Sequence, residues 1–231
     1  MKDKTNPQDH SEIIALNKPA TWTSFDVVKK IRKLSGIKKV GHAGTLDPFA
    51  TGVLIVCLGR ATKRIKEFVN TTKEYIASIE LGIETDTMDP TGAVTHRQPI
   101  PDLSEEKILN SIKQFIGVIK QEIPAYSAAK YRGQRLYRMA RRGEDIPTLK
   151  KVVRIHEIEL LSWNKNTIQI RVECGPGTYI RTLGNDMAKS LGCVGYLKSL
   201  VRTSVGQYSI KDAHTIEELE SRYKKQEAVE D

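Results

Sequence analysis

The chain has 231 residues, 39% hydrophobic and 28% charged, enough for one substantial core or two small ones and too long for a miniprotein stapled by disulfides or metal. Lysine and arginine number 37 against 28 acids, and the net charge of +9 favours a polyanionic partner, nucleic acid or an anionic membrane surface. The longest unbroken apolar run, Val53 to Leu58, falls far short of the roughly 20 residues that cross a bilayer, so no membrane span is predicted.

Met1 to Ser11 is polar and lacks the apolar centre of a secretory signal. Ile13 to Leu16 then reads as a short strand. Thr23 or Ser24 can cap a helix whose apolar positions Val27, Val28, Ile31 and Leu34 recur at helical spacing, with Gly36 as its stop. A glycine-punctuated loop from Gly41 to Gly52 leads into the buried-strand run Val53 to Leu58. A short helix over 61–69 precedes a strand with Tyr75, Ala77, Ile79 and Leu81 on one face.

Further on, Ser104 caps a predicted helix carrying Ile108, Ile112, Phe115 and Ile116, closed by Gly117. Strands are predicted at 118–123, 152–161, 167–173 and 197–204. A helix is predicted from Tyr179 to Ser190, with Gly192 as stop, and a last one from about Thr215. Irregular alternation of strands and helices indicates α/β or α+β with a mixed sheet. Glu217 to Asp231 holds six acids against three bases, which argues against RNA contact there and for a frayed end.

Cys57, Cys174 and Cys193 are scattered and odd in number, which reads as buried free thiols in a reducing compartment, with cytoplasm the default. The five histidines are equally dispersed, so no metal is expected. Positive charge concentrates in two stretches free of acid. One holds Lys29, Lys30, Arg32, Lys33, Lys38 and Lys39; the other holds Lys130, Arg132, Arg135, Arg138, Arg141 and Arg142, with Tyr131 and Tyr137 interleaved. Either alone reads as a solvated helix face; two on a chain this basic favour phosphate contacts. The arginine-rich second stretch suits bidentate phosphate binding or stacking, and neither carries the bulky apolar stripe of a membrane-surface helix.

Gly41-His42-Ala43-Gly44-Thr45-Leu46-Asp47-Pro48-Phe49-Ala50-Thr51-Gly52 lacks both the GK[ST] ending of a P-loop and the GxGxxG fingerprint, which sets nucleotide-cofactor readings aside. It presents one acid, Asp47, on a stiff loop between regular elements, an arrangement that also fits an ordinary Asp-Pro turn. Asp86 and Asp89 fail EF-hand spacing, because Met88 and Pro90 fall at ligand positions, and that stretch reads as a structured turn.

The string GHAGTLDPFATGVL resembles the catalytic signature of TruB-type tRNA pseudouridine synthases. Three further blocks resemble that family in the same order. They are Lys73-Glu74-Tyr75 with Gly82, Thr85-Asp86-Thr87 and Asp89; Ile123 to Lys130 with Gly133 and Tyr137 to Arg141; and Gly177 to Leu183 with Gly192-Cys193 and Leu200 to Thr203. The resemblance covers about Asn17 to Val205. It implies a pseudouridine synthase fold, a mixed and largely antiparallel sheet flanked by helices, and isomerisation of uridine 55 in the tRNA T-loop without cofactor or metal.

By match to the family's motifs, Asp47 is the nucleophilic carboxylate and Arg181 the arginine that keeps it ionised and oriented. Tyr75 stacks on the target base and takes part in late proton removal. Tyr179 and Leu200 line the uracil pocket, and His42 fills the space vacated by flipped nucleotides. Lys18, Lys63, Lys130, Arg132, Arg141 and Arg142 are the candidate RNA-backbone contacts.

Tyr196 replaces a histidine common in the family, and the RRT ending is reduced to Val201-Arg202-Thr203. The expected catalytic domain is 1–212, followed by a short C-terminal helix and acidic tail at 213–231 without a PUA-type domain, and a monomer is the default. A non-catalytic RNA-folding module and a guide-RNA-dependent relative are the rival readings. The first predicts that Asp47→Asn retains all cellular function, and activity of the isolated chain on bare tRNA separates the second from a stand-alone enzyme.

Overall fold

The computed structural model describes residues 11–230, with side chains described up to Lys225. The reading of Met1 to Ser11 lies almost wholly outside those residues, whereas the acidic segment expected to fray is helical from Glu217 as far as Glu230. In chain order the elements are β1 (Ser11–Lys18), α1 (Ser24–Ser35), β2 (Val40–Ala43), β3 (Thr51–Gly59), α2 (Ile65–Val69), β4 (Lys73–Leu81), β5 (Ile83–Thr85), β6 (Val94–Arg97), α3 (Glu105–Lys113) and β7 (Gly117–Glu122). Then come β8 (Lys130–Tyr131), β9 (Gln134–Arg135), α4 (Leu136–Arg141), β10 (Lys150–Trp163), β11 (Thr167–Cys174), α5 (Ile180–Ser190), β12 (Gly195–Val205), β13 (Tyr208–Ser209) and α6 (Ile216–Glu230). Among the described residues no helix is long and apolar enough to cross a membrane.

Contacts divide the chain into two units, residues 1–73 with 201–231, and residues 74–200. In the first, β3 is the central strand, and its residues from Val53 to Leu58 are fully buried, as their unbroken apolar run predicts. It pairs antiparallel with β1, Ile14 opposite Val56, and with β2, His42 opposite Val56 from the other edge. The end of β12 joins it in parallel, Arg202 opposite Gly52, which makes the sheet mixed.

Helix α1 covers one face. Val27, Val28 and Ile31 pack on Leu16, Leu54 and Leu58, together with Ile216, Leu219 and Tyr223 of α6. Full burial of each such side chain contributes about 1.5–3 kcal/mol. The start of α1 is fixed by a capping box: Thr23 Oγ1 accepts from Asp26 N and Asp26 accepts from Thr23 N, both at 3.0 Å. Gly36 ends the helix at φ 67°, where a side chain would be strained. The other face of the sheet packs on Ala61, Phe68 and Val205.

In the second unit the strand order is β4-β11-β10-β7, with antiparallel pairing of β11 and β7 to β10. The strict alternation along β4 buries Lys73, Tyr75, Ala77, Ile79 and Leu81, and along β11 it buries Ile168, Ile170, Val172 and Cys174. Helix α5 is buried on most of its surface, and α3 packs on α5 and β10. Two small hairpins, β5–β6 and β8–β9, complete the unit.

Two departures from expectation are more than a shift of one or two residues at a strand end. Helix α3 stops at Lys113 instead of reaching Ile116, because the chain turns at Phe115, whose N donates to Ile112 O at 3.0 Å, and Gly117 at φ 102° already begins β7. The loop predicted from Gly41 loses its start to β2, which pairs with β3 through Ala43 opposite Ile55.

Candidate active site

In the first unit, the segment carrying Asp47 links β2 to β3 and has no regular structure, so its backbone polar groups need partners from elsewhere. They come from three buried side chains. Ser24, at the start of α1, accepts from Leu46 N at 2.9 Å and donates to Leu46 O at 3.2 Å. Arg202 donates to Gly44 O at 3.1 Å and to Val53 O at 2.6 Å, bracketing the segment at both ends. Lys18 closes β1 with its three ammonium donors on Trp22 O at 2.7 Å, Pro19 O at 2.8 Å and Pro48 O at 3.3 Å. Thr21 N also donates to Pro48 O, and Ala50 N to Asp47 O, closing a turn around the aspartate.

The half-buried Asp47 is thus flanked by residues whose backbones are fixed, and the stiffness inferred from Pro48 is built largely by tertiary hydrogen bonds. The close approach of β3 and β12 behind it requires Gly52: at φ 102°, a Cβ there would lie 2.7 Å from Arg202 N and nearer still to its carbonyl oxygen.

Lys18 does not make the RNA-backbone contact expected of it. It is fully buried and all three donors are taken by carbonyls, so no phosphate reaches it. Burial pushes its pKa down to about 8, against the raising effect of Asp47 and with a further lowering from Arg202. His42, half-buried on β2, is likewise lowered, first by burial and then by Arg202, and its buried Nδ1 has no hydrogen-bond partner.

In the second unit, Arg181 is buried in the first turn of α5. It lies 3.4 Å from Asp89, and donates to Thr87 O at 2.7 Å and Tyr126 O at 2.8 Å. Asp89 is held in turn by Thr87 Oγ1 at 2.7 Å, Thr91 Oγ1 at 2.6 Å and Thr91 N at 2.9 Å. The structured turn read at Asp86–Asp89 therefore supports the arginine, a role that spacing alone did not disclose. Tyr179 precedes α5. Its backbone N donates to Gln121 Oε1 at 3.0 Å and its carbonyl accepts from Gln121 Nε2 at 3.3 Å, with Gln121 fully buried. Tyr75 and Leu200 are buried, 8% and 6% exposed.

Lys63, Lys130, Arg132, Arg141 and Arg142 are all exposed. Arg132 lies 5.2 Å from the Tyr131 ring, and Arg141 and Arg138 lie 5.7 and 5.9 Å from that of Tyr137. Arg135 at the end of β9, Arg138 in α4 and Arg142 just after it converge on an open depression of about 580 Å³ that Lys130 and Gln134 also line. Arg142 is tied to Gln134 at 2.6 Å and to Glu144. The first basic stretch is partly neutralised, since Lys30 pairs with Glu220 of α6 and Lys29 with Asp26 at 3.9 Å.

Comparison with known proteins places the chain in a family. Residues 32–180 match the N-terminal domain of the TruB family pseudouridylate synthases, and residues 181–231 match the C-terminal domain of tRNA pseudouridylate synthase B. The chain belongs to the TruB pseudouridylate synthase family. Among its relatives, the tRNA pseudouridine synthase B of Dehalococcoides mccartyi strain CBDB1 is 46% identical over 90% of this chain and 70% of its own. That of Phocaeicola vulgatus is 44% identical over 95% and 96%.

A chain in the crystal structure of a Cbf5-Nop10-Gar1 complex superposes with a TM-score of 0.72 at 30% identity, covering 91% of this chain and 54% of that one. A structure of an H/ACA RNP bound to a substrate RNA containing 2'-deoxyuridine gives 0.70 at 27%, covering 94% and 55%. The chain spans about half the length of these two. The fold is that of the pseudouridine synthases, and the protein is an isomerase of that class.

Proposed function

We propose that this chain isomerises uridine 55 in the T-loop of tRNA to pseudouridine. The observation that carries the reading is the Asp47 segment, whose backbone is clasped by Ser24, Lys18 and Arg202, which holds the place of its carboxylate in the fold. Relatives named tRNA pseudouridine synthase B at 44–46% identity favour bare tRNA over a guided ribonucleoprotein substrate, whose structural counterparts stand at 27–30%.

In this reading Asp47 attacks the target nucleotide, or assists glycosidic cleavage through the sugar; uracil leaves its N-linkage, turns over, and rejoins the ribose through carbon. Arg181 serves as the partner that keeps the carboxylate ionised. Tyr75 stacks on the base and takes part in removing the carbon-bound proton, while Tyr179 and Leu200 bound the uracil. The T-loop hides the reacting atoms, so the nucleotide is extruded at a cost of a few kcal/mol, with His42 filling the vacated stack. Lys63, Lys130, Arg132, Arg141 and Arg142 supply phosphate contacts that offset that cost.

The test is conversion of an unmodified T-stem-loop RNA by purified protein. Wild type should form pseudouridine at that uridine, and Asp47→Asn should abolish conversion while RNA binding stays within a few-fold. Inactivity of wild type on several T-arm substrates would refute the reading, and retained activity of Asp47→Asn would refute the role of Asp47.

A further inference from the structure

We propose that Lys151 is a phosphate-binding residue of the substrate site, receiving an RNA phosphate that flanks the nucleotide contacted by Tyr179. The inference rests on the preceding reading of Tyr179 as a base-contacting residue and adds a residue that the sequence motifs do not include. Lys151 lies on β10 opposite Gln121, the buried amide that grips both backbone groups of Tyr179. Its Nζ is 5.7 Å from the centre of the Tyr179 ring. In the preceding loop Gly177 adopts φ 75°, and the Lys151 ammonium lies close against it, where a Cβ would meet Nζ.

This ammonium is half-buried, and among the described residues no carboxylate pairs with it. Burial alone lowers its pKa, with no acid offsetting the effect. Lys150 and Arg154 on the same strand and Lys120 on β7 lie on the opposite, exposed face by strand alternation, so the charge on the inner face is that of Lys151, and the exposed Glu122, opposite Lys150, shares the outer face. The face of a tyrosine returns only about 0.5–2 kcal/mol to such a cation. A cation held in this way beside a base-contacting ring, short of counter-charge, is matched by an anion one ribose away from that base, where a nucleic acid carries its phosphate.

The experiment measures the affinity of a T-stem-loop RNA, with its salt dependence, for wild type, Lys151→Gln, Lys151→Met and Lys151→Arg, alongside kcat and KM. Lys151→Gln should weaken binding about five- to ten-fold at roughly 0.1 M salt and flatten the slope of log K against log salt by about 0.7–0.9, the value of one phosphate contact. The loss should fall on KM rather than kcat, and Lys151→Arg should restore both affinity and slope. Lys151→Met keeps the buried stem and gives the same reading should glutamine disturb folding, as melting temperatures would reveal. An unchanged slope with reduced kcat would mean that Lys151 merely orients the Tyr179 ring, and would overturn the proposal. A wild type that neither binds nor converts the RNA would overturn the functional reading instead.

Discussion

Replacing Lys18 with methionine isolates the energetics of the clasp beside Asp47. The folded chain releases the Lys18 proton near pH 8, whereas an unfolded lysine keeps it to about 10.5. Through that window the unfolded state binds more protons, so stability rises with pH; the Lys18 contribution is complete above about 10.5 and is lost as pH falls through 8. The full displacement corresponds to about 3 kcal/mol, of which about 2 kcal/mol accrues between pH 7 and pH 9.5. Lys18→Met lacks this titration, so the stability of wild type relative to the variant should grow by about 2 kcal/mol over that interval.

At pH 7 the variant relieves the buried charge but strips donors from Pro19 O, Trp22 O and Pro48 O, at roughly 1–3 kcal/mol each. The three losses exceed the relief, and a net destabilisation of a few kcal/mol is expected at neutral pH. Urea unfolding of both proteins at the two pH values is the assay, since lysines and tyrosines elsewhere titrate alike in each and cancel. A difference that stays constant from pH 7 to 9.5 would show that the ammonium is solvated and that the clasp is misread.

Gly52→Ala forces a left-handed alanine against the Arg202 backbone, which should cost about 2–5 kcal/mol and lower Tm by about 5–20 °C; an unchanged melting curve would show that β3 and β12 are not so closely apposed. Asp89→Asn leaves Arg181 buried without the carboxylate 3.4 Å away, and a loss of about 3 kcal/mol in denaturant titration, with slower conversion, is expected. Neutralising Arg132 and Arg141 together by glutamine should weaken T-arm RNA binding and flatten its log–log salt slope by about 1.4–1.8, and an unaltered slope would place the RNA on another surface.

Much of the architecture is written in local pattern. The capping box at Thr23, the unbroken apolar run of β3 and the alternation of β4 each name their element locally, and α5 is named by its apolar spacing although it is buried on most sides. The early end of α3 was not legible, since Ile116 continues its apolar spacing yet lies 43% exposed after the turn at Phe115. The site divides in the same way. Asp47 stands out as the lone acid of a glycine-bounded loop, whereas Asp89 and Gln121 act through partners 92 and 58 positions away, Arg181 and Tyr179, and such distances leave no trace in spacing.

Lys18 is the most instructive departure, because its burial was legible and its charge concealed it. Along β1, Ile14 and Leu16 point inward, and the same period of two places Lys18 inward as well. Arg202 follows the same logic, lying two positions beyond the buried Leu200 on β12. A solvated cation would break such a pattern; a buried one continues it only where carbonyl oxygens wait for its protons. Those carbonyls lie at Gly44 and Pro48, in a segment with no ladder of its own, and at Val53 where β3 begins, so the two strands bring cations to backbone that Ser24 and Thr21 N satisfy only in part. The inward-facing charges and the irregular Asp47 segment therefore explain each other: each leaves buried polar groups unsatisfied alone, and together they fix the carboxylate on a frame built from β1, α1 and β12.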